Sequence, residues 1–202
     1  KVLYNALRFD FQIAAYAALL PTVIMLMQLF VSTPKYPKWC RNFCSWYYTI
    51  VATLLALLSA IDLGYFANFN SHISFTFFDF FDEEPLSLIQ TIWDDYPVIW
   101  ILIGLCFWGT VTRIASKWAF LRPSQTKSCS TKKTTIAIML YIAAIVVCMR
   151  GSIGRFPLQV EDLVVSVSER INDIIPNAPY MLKKALKEKS MVFDIKPTAT
   201  LL

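Results

Sequence analysis

Four long apolar runs constrain this chain more than any other feature of its sequence. A helix needs about 20 mostly apolar residues to cross the hydrocarbon core of a bilayer. The runs that match or approach this length are residues 11–31, 46–66, 98–120 and 134–149. Pro21 lies inside the first run and predicts a kink that neighbouring helices compensate. Lys117 in the third run, and the charged residues that flank the short fourth run, can snorkel to the membrane surface.

The composition supports a membrane protein. Only 16% of the residues are charged, against about 25% in an average soluble domain. Hydrophobic residues make up 56% of the chain, which excludes a disordered protein. Aromatic residues flank the run ends, as in a membrane-interface belt: Trp39, Trp46, Tyr47, Tyr48, Trp93, Tyr96, Trp100 and Trp118. We therefore predict an all-α, polytopic membrane helical bundle with four spans and additional interfacial amphipathic helices.

Charges in the connecting segments predict the orientation. Residues 32–45 and 113–133 carry Lys and Arg without any acid, whereas residues 67–97 carry six acids and no Lys or Arg. Short loops rich in Lys and Arg stay in the cytoplasm. The N-terminus, the acidic loop and the C-terminal tail are then outside. Cys40, Cys44 and Cys129 fall on the cytoplasmic side, so no disulfide is predicted.

An outside N-terminus is unexpected for a sequence that starts at Lys1 and shows no signal peptide. A further span upstream would resolve this, and we expect a parent protein with five spans. We expect residues 1–150 to form the transmembrane bundle and residues 151–202 to form an outer-side amphipathic linker that leads to a catalytic domain.

Two helices are predicted within the linker. Apolar residues recur at helical spacing from Val160 to Ile175, which predicts an amphipathic helix. Pro179 can open a second helix, whose basic residues are Lys183, Lys184, Lys187 and Lys189. Such helices lie against lipid headgroups or pack against a following domain, and both alternatives stay open. In the acidic loop, Leu86 to Trp93 is predicted as a short helix.

Charged residues near the predicted outer ends of the spans form the candidate site. They are Arg8, Asp10, Asp62, Arg150 and Arg155. Ionisable groups at membrane depth are usually paired or functional. One hypothesis is an Asp–Arg pair that holds helices together, and we expect Asp62 to pair with Arg8 or Arg150. The other is a pocket for a lipid phosphate, which suits the bidentate geometry of Arg. Both can hold if one Arg is left for the phosphate.

A metal site is not predicted in this chain. Cys40 and Cys44 are four residues apart, but zinc needs further ligands. The single histidine, His72, is predicted on the opposite side of the membrane from them.

Four segments resemble the membrane domain of the lipoteichoic acid synthase-like proteins, and they occur in that family's order. Arg8-Phe9-Asp10 resembles its "RFD" signature, and Asp62, followed by Tyr65 and Phe66, resembles its "D..YF" segment. Residues 150–159, RGSIGRFPLQ, are similar to its "RGG-G-RPLQ" exit sequence. Asn172 and residues 176–179, PNAP, are similar to its "N…LNP" segment. Ser152 and Phe156 depart from the pattern.

The resemblance implies a membrane domain that carries a sulfatase-type domain of the alkaline phosphatase superfamily outside. That domain would use a divalent metal (Mn, Mg or Zn) and a Thr to transfer a phosphoglycerol or phosphoethanolamine group from a phospholipid. This chain would be its anchor and lipid-presenting domain in the bacterial cytoplasmic membrane, without nucleic-acid partners. Arg8, Asp10, Asp62, Tyr65, Arg150 and Arg155 are its implied headgroup-binding or ion-pair residues. No catalytic residue or metal ligand is expected in residues 1–202.

Two other functional classes remain as alternatives, a transporter or channel subunit and a structural membrane scaffold. Transporters have broken helices and polar residues near the membrane midplane. In this chain Pro21 is the one predicted midplane break, and Asp62 lies near a span edge.

Overall fold

The computed structural model of the protein describes residues 1–27, 36–83, 85–121, 131–152 and 154–199. Residues 28–31 of the first predicted span lie outside these ranges, as do Lys35, Arg122, Lys127 and Cys129. Regular structure in the described residues is helical, and they contain no strand, which confirms the all-α class. The elements are α1 Val2–Leu26, α2 Tyr36–Phe69, α3 Thr76–Glu83, α4 Pro85–Asp95, α5 Val98–Leu121, α6 Thr131–Arg150, a 3₁₀ turn Val160–Leu163, α7 Glu169–Asn172 and α8 Ala178–Ala199.

Four of these helices are long and apolar enough to cross a membrane: Val2–Leu26, Pro37–Phe69, Val98–Leu121 and Lys132–Arg150. The prediction of a multi-pass membrane protein is therefore confirmed at this level. Large apolar side chains along the helices are exposed, for example Phe107 at 70% and Met139 at 67%. Such exposure would be costly in water and is what lipid contact requires.

Two of the helices begin earlier than their apolar runs. α1 starts at Val2 and α2 at Tyr36, because helical hydrogen bonding does not depend on apolar side chains. The 34 residues of α2 span about 51 Å, which exceeds a hydrocarbon core of about 30 Å. At least one end of α2 therefore lies beyond the hydrocarbon. Pro21 lies within α1, which continues to Leu26.

The chain divides into two compact units. Unit 1 contains residues Lys1–Thr53 and Trp108–Ile175, and unit 2 contains Leu54–Phe107 and Pro176–Leu202. In unit 1, α1 packs against α6. Gln12 donates a hydrogen bond to the Met149 carbonyl oxygen at 2.9 Å, and the hydroxyls of Thr22 and Tyr141 lie 3.1 Å apart.

A small hydrophobic core organises unit 2. Tyr65 on α2, Ile73 in the following loop and Ala185 on α8 are buried together. Leu58, Phe77, Phe78 and Leu182 pack around them. Two aromatic residues of the acidic loop, Phe77 and Phe78, thus contribute to a packed core.

The segment from Val160 to Ile175 corrects the sequence-based expectation of one continuous amphipathic helix. It contains the 3₁₀ turn and the four-residue α7, with extended backbone at Val164. Asn172 explains the break, because its side-chain oxygen accepts hydrogen bonds from the backbone N–H groups of Val165 and Ser166, both at 3.0 Å. Side-chain bonds of this kind compete with helical ones.

Two shorter predictions in these regions are confirmed. α8 begins at Ala178 and has Pro179 in its first turn, where the absent N–H of proline costs nothing. α4, Pro85–Asp95, contains the short helix predicted from Leu86 to Trp93.

Candidate functional site

A glycine turn ends α6 and begins the site. Gly151 has a φ of +67° and donates its N–H to the carbonyls of Val147 and Cys148. A Cβ at this position would lie 2.9 Å from the Cβ of Leu158. The chain then folds back, so that the Leu158 N–H donates to the Arg150 carbonyl at 3.1 Å. Only glycine combines this backbone angle with this contact.

Arg8 joins the beginning of α1 to this turn. Its Nε donates to the Gly151 carbonyl at 2.7 Å, and its Nη1 donates to Asp162 Oδ1 at 3.0 Å. The Arg8 and Asp162 side chains are 16% and 29% exposed, so solvent screens the ion pair only in part. One guanidinium thus holds two points of the exit segment that follows α6.

Neighbouring polar groups reinforce this contact. Asn5 donates to the Asp162 carbonyl at 2.7 Å, and its side-chain oxygen accepts a bond from Arg8 at 3.3 Å. The second carboxylate oxygen of Asp162 accepts the Gln159 N–H at 3.1 Å. Asp162 is therefore the common acceptor of the cluster. Its role could not be recognised from sequence, because Asp162 belongs to none of the four family-like segments.

The two other arginines of the candidate site differ in their contacts. Arg150 Nη2 donates to the carbonyls of Gly154 and Arg155, at 3.0 and 2.8 Å, and so fixes the turn. Arg155 is exposed, and its guanidinium forms no hydrogen bond or ion pair with the described residues. Asp10 is exposed on α1. Arg155 is therefore the arginine whose charge remains available to an anion.

An open groove of about 510 Å³ lies beside the Arg8 contact. It is lined by Tyr4, Arg8, Ser152, Gly154, Phe156, Pro157, Gln159, Glu161 and Asp162. Its walls combine two aromatic rings with hydroxyl, amide and charged groups. A groove of this size and polarity can hold a small polar headgroup.

Asp62 has partners other than those expected. We expected Arg8 or Arg150, and this prediction is wrong. In unit 2, Asp62 Oδ2 lies 2.8 Å from His72 Nδ1, and Asp62 Oδ1 accepts the Ile73 N–H at 2.9 Å. The loop after α2 folds back onto the helix, so the carboxylate finds its partners only ten and eleven residues away.

Tyr65 lies one turn after Asp62 and holds the same loop. Its ring is buried against Phe69 and Phe77, and its hydroxyl lies 3.0 Å from Thr76 Oγ1. Asp62 and Tyr65 together fix residues 72–76 on the end of α2. Asp62 and Tyr65 were both predicted as site residues, and their contacts stabilise the fold of this loop.

The sequence prediction also missed a polar cluster between α2 and α5 in unit 1. Ser45, Thr49 and Ser116 are buried, and the Ser116 hydroxyl lies 3.2 Å and 2.9 Å from those of Ser45 and Thr49. Arg113 donates to Ser45 at 2.6 Å and stacks on Trp46, with its guanidinium carbon 3.8 Å from the ring centroid. Small polar residues at four-residue spacing were the available signal, because membrane helices associate through them.

Metal ligands do not cluster in the part of the chain that the structure describes. No group of three or more His, Cys, Asp or Glu side chains there could hold a metal ion. These described residues therefore do not form a site for the divalent metal that the resemblance implies for the catalytic domain.

Comparison with known proteins adds no assignment: no protein-family model, curated protein or solved structure matches this chain.

Replacing Gly151 with Ala tests the turn. We expect the free energy of unfolding in detergent to fall by about 2 kcal/mol or more, because the left-handed backbone and the Leu158 contact both disfavour a Cβ. Gly104→Ala is the matched control, since a Cβ added at this position in α5 would have no other atom within 4 Å. Equal unfolding free energies for the two variants would contradict the role given to Gly151.

Replacing Asp62 with Ala tests the loop contact in unit 2. We expect a loss of about 1–3 kcal/mol in unfolding free energy, because the Ile73 N–H is left buried without its acceptor. Asp94→Ala removes an exposed acid at the end of α4 and should change stability little. Denaturation of both variants in the same detergent provides the measurement, and unchanged stability of Asp62→Ala would refute the assignment.

Proposed function

We propose that this chain is the membrane anchor and lipid-presenting domain of a phospholipid headgroup transferase. The transferred group would be phosphoglycerol or phosphoethanolamine, taken on the outer face of a bacterial cytoplasmic membrane. The proposal rests first on the resemblance of four segments to lipoteichoic acid synthase-like membrane domains. A catalytic domain of the parent protein would supply the metal-dependent phosphoryl chemistry.

One observation carries the proposal. Two of the family-like segments, separated by 143 residues, are joined by the Arg8 guanidinium on the Gly151 carbonyl. The "RFD"-like segment thereby positions the "RG"-like exit turn. These segments were selected only by their sequence resemblance, so a contact between them supports a common role.

The groove and the residues beside it suggest how the chain would bind a phospholipid headgroup. Arg155 lies between the groove residues Gly154 and Phe156 in the sequence, and its guanidinium is a charged fork that suits the oxygens of a phosphate. Arg8 is already held by Asp162, so its charge serves to shape the groove wall. Tyr4 and Phe156 line the same groove and provide apolar surface for the part of a lipid next to its headgroup. The chain would bind and orient the donor lipid, and the catalytic domain would act on it.

The proposed orientation follows from the loop charges. Segments 32–45 and 113–133, which are basic, would face the cytoplasm, and α8 with the exit segment would face outward. The groove would then lie on the outer side, where the proposed transferase reaction would take place.

Cysteine labelling in intact cells tests this orientation. We expect a membrane-impermeant maleimide to label Ser71→Cys, which is exposed after α2, and to label Trp39→Cys only after permeabilisation. The background should lack Cys106, Cys129 and Cys148. Cys40 is uninformative because it is fully buried. Labelling of Trp39→Cys in intact cells would reverse the assignment.

Photo-crosslinking tests headgroup binding. In nanodiscs, phosphatidylglycerol and phosphatidylethanolamine carrying a photoreactive headgroup should label residues 150–163 and the beginning of α1. Arg155→Ala should reduce this labelling roughly tenfold, the effect of losing a charge-assisted hydrogen bond. Arg170→Ala is the control, because it removes an exposed arginine that has no groove residue as its neighbour in the sequence.

Three results would count against the proposal. The first is equal labelling in the Arg155 and Arg170 variants. The second is labelling spread evenly over the spans. The third is labelling abolished by inorganic phosphate but unaffected by excess unlabelled lipid, which indicates a site for the free anion.

A further inference from the structure

The last described helix, α8, has one face that its packing leaves open. On one side of α8, Ala185 is fully buried in the core of unit 2 with Tyr65 and Ile73, and Leu182 packs against them. The other side carries Lys183, Leu186, Lys187 and Met191, which we call the open face. Their spacing of three and four residues places them on one stripe of the helix.

The lysines of α8 fall into two classes. Lys184 pairs with Glu188 at 3.9 Å, and Lys189 lies 5.3 Å from the centre of the Phe78 ring. Lys183 and Lys187 contact no charged or aromatic group among the described side chains. The packed sides of the helix thus satisfy two lysines, and the open face retains two free positive charges.

The open face also exposes apolar surface. Leu186 is 51% and Met191 48% exposed, beside the aliphatic stems of the two lysines. A helix face on which apolar side chains alternate with lysines is typical of binding to a membrane surface. The apolar side chains enter the headgroup region, and the lysine ammonium groups contact the lipid phosphates.

The position of α8 beside a candidate membrane span indicates that its open face meets lipid. Its buried side is attached to Tyr65, and Leu58 packs against the same core. Both residues belong to the candidate span Pro37–Phe69. The helix is therefore packed beside the last part of a helix that is long and apolar enough to cross a membrane.

From these observations we infer that the open face of α8 binds the headgroups of anionic phospholipids. The two free lysines provide the attraction, and Leu186 and Met191 provide apolar contact. Lipid contact by this face does not depend on the headgroup transfer proposed above, because it uses other residues and involves no reaction.

Spin labelling tests the inference on the whole chain. A nitroxide at Leu186→Cys, with Cys106, Cys129 and Cys148 replaced by Ser, is measured in nanodiscs with and without phosphatidylglycerol. Collision with oxygen reports the lipid phase, and collision with a water-soluble nickel chelate reports the aqueous phase. We expect the label to be accessible to oxygen and protected from nickel when phosphatidylglycerol is present.

Charge variants give the decisive comparison. Lys183→Gln with Lys187→Gln should lower the ratio of lipid-bound to water-exposed open face roughly 30-fold, since each lysine contributes independently near an anionic surface. Lys184→Gln with Lys189→Gln removes the same charge from the packed sides and should leave the ratio close to that of the unmodified chain. Added salt should weaken docking in the unmodified chain.

Three outcomes would overturn the inference. Equal effects of the two variant pairs would mean that net charge, and not the open face, determines the result. Accessibility to nickel in both lipid compositions would place the face in water. Protection from both reagents would mean that protein covers the face, as a further domain or a second copy would.

Discussion

The contact of Arg8 with the exit segment is the interaction on which unit 1 depends. Arg8 lies on the first helix, and its partners Gly151 and Asp162 follow the last predicted span. A single guanidinium therefore connects the two ends of this unit in sequence. Without it, α1 and α6 would keep the polar contacts of Gln12 and Thr22, but the Arg8 contacts that hold the exit segment to α1 would be lost.

Other polar contacts also hold helices or loops together in this molecule. Gln12 on the Met149 carbonyl, and the hydroxyls of Ser45, Thr49 and Ser116, join pairs of helices that apolar packing alone would not align. In unit 2, Asp62 fixes the loop after α2, and the loop in turn forms the surface on which α8 packs. Each contact satisfies a polar group that lipid cannot satisfy.

Much of the fold could be predicted from the sequence, because span length and hydropathy determine the four long helices. The partners of the charged residues could not be predicted in this way. Asp62 was expected to meet an arginine of another span, but the loop brings His72 and the Ile73 N–H to it. The loop folds back onto α2 through backbone geometry that no hydropathy pattern reveals, for example the positive φ of Asn70. The break at Asn172 was missed for the same reason: apolar spacing does not record side-chain bonds to the backbone.

Arg8 and Asp162 are partners in one interaction, and a double-mutant cycle measures this directly. The free energies of unfolding of Arg8→Gln, Asp162→Asn and the double variant would be compared with that of the unmodified chain in one detergent. Partnership predicts a coupling energy of about 1–2 kcal/mol, because the double variant loses the interaction only once. Additive losses, with a coupling energy near zero, would contradict the claim that this contact holds the exit segment to α1.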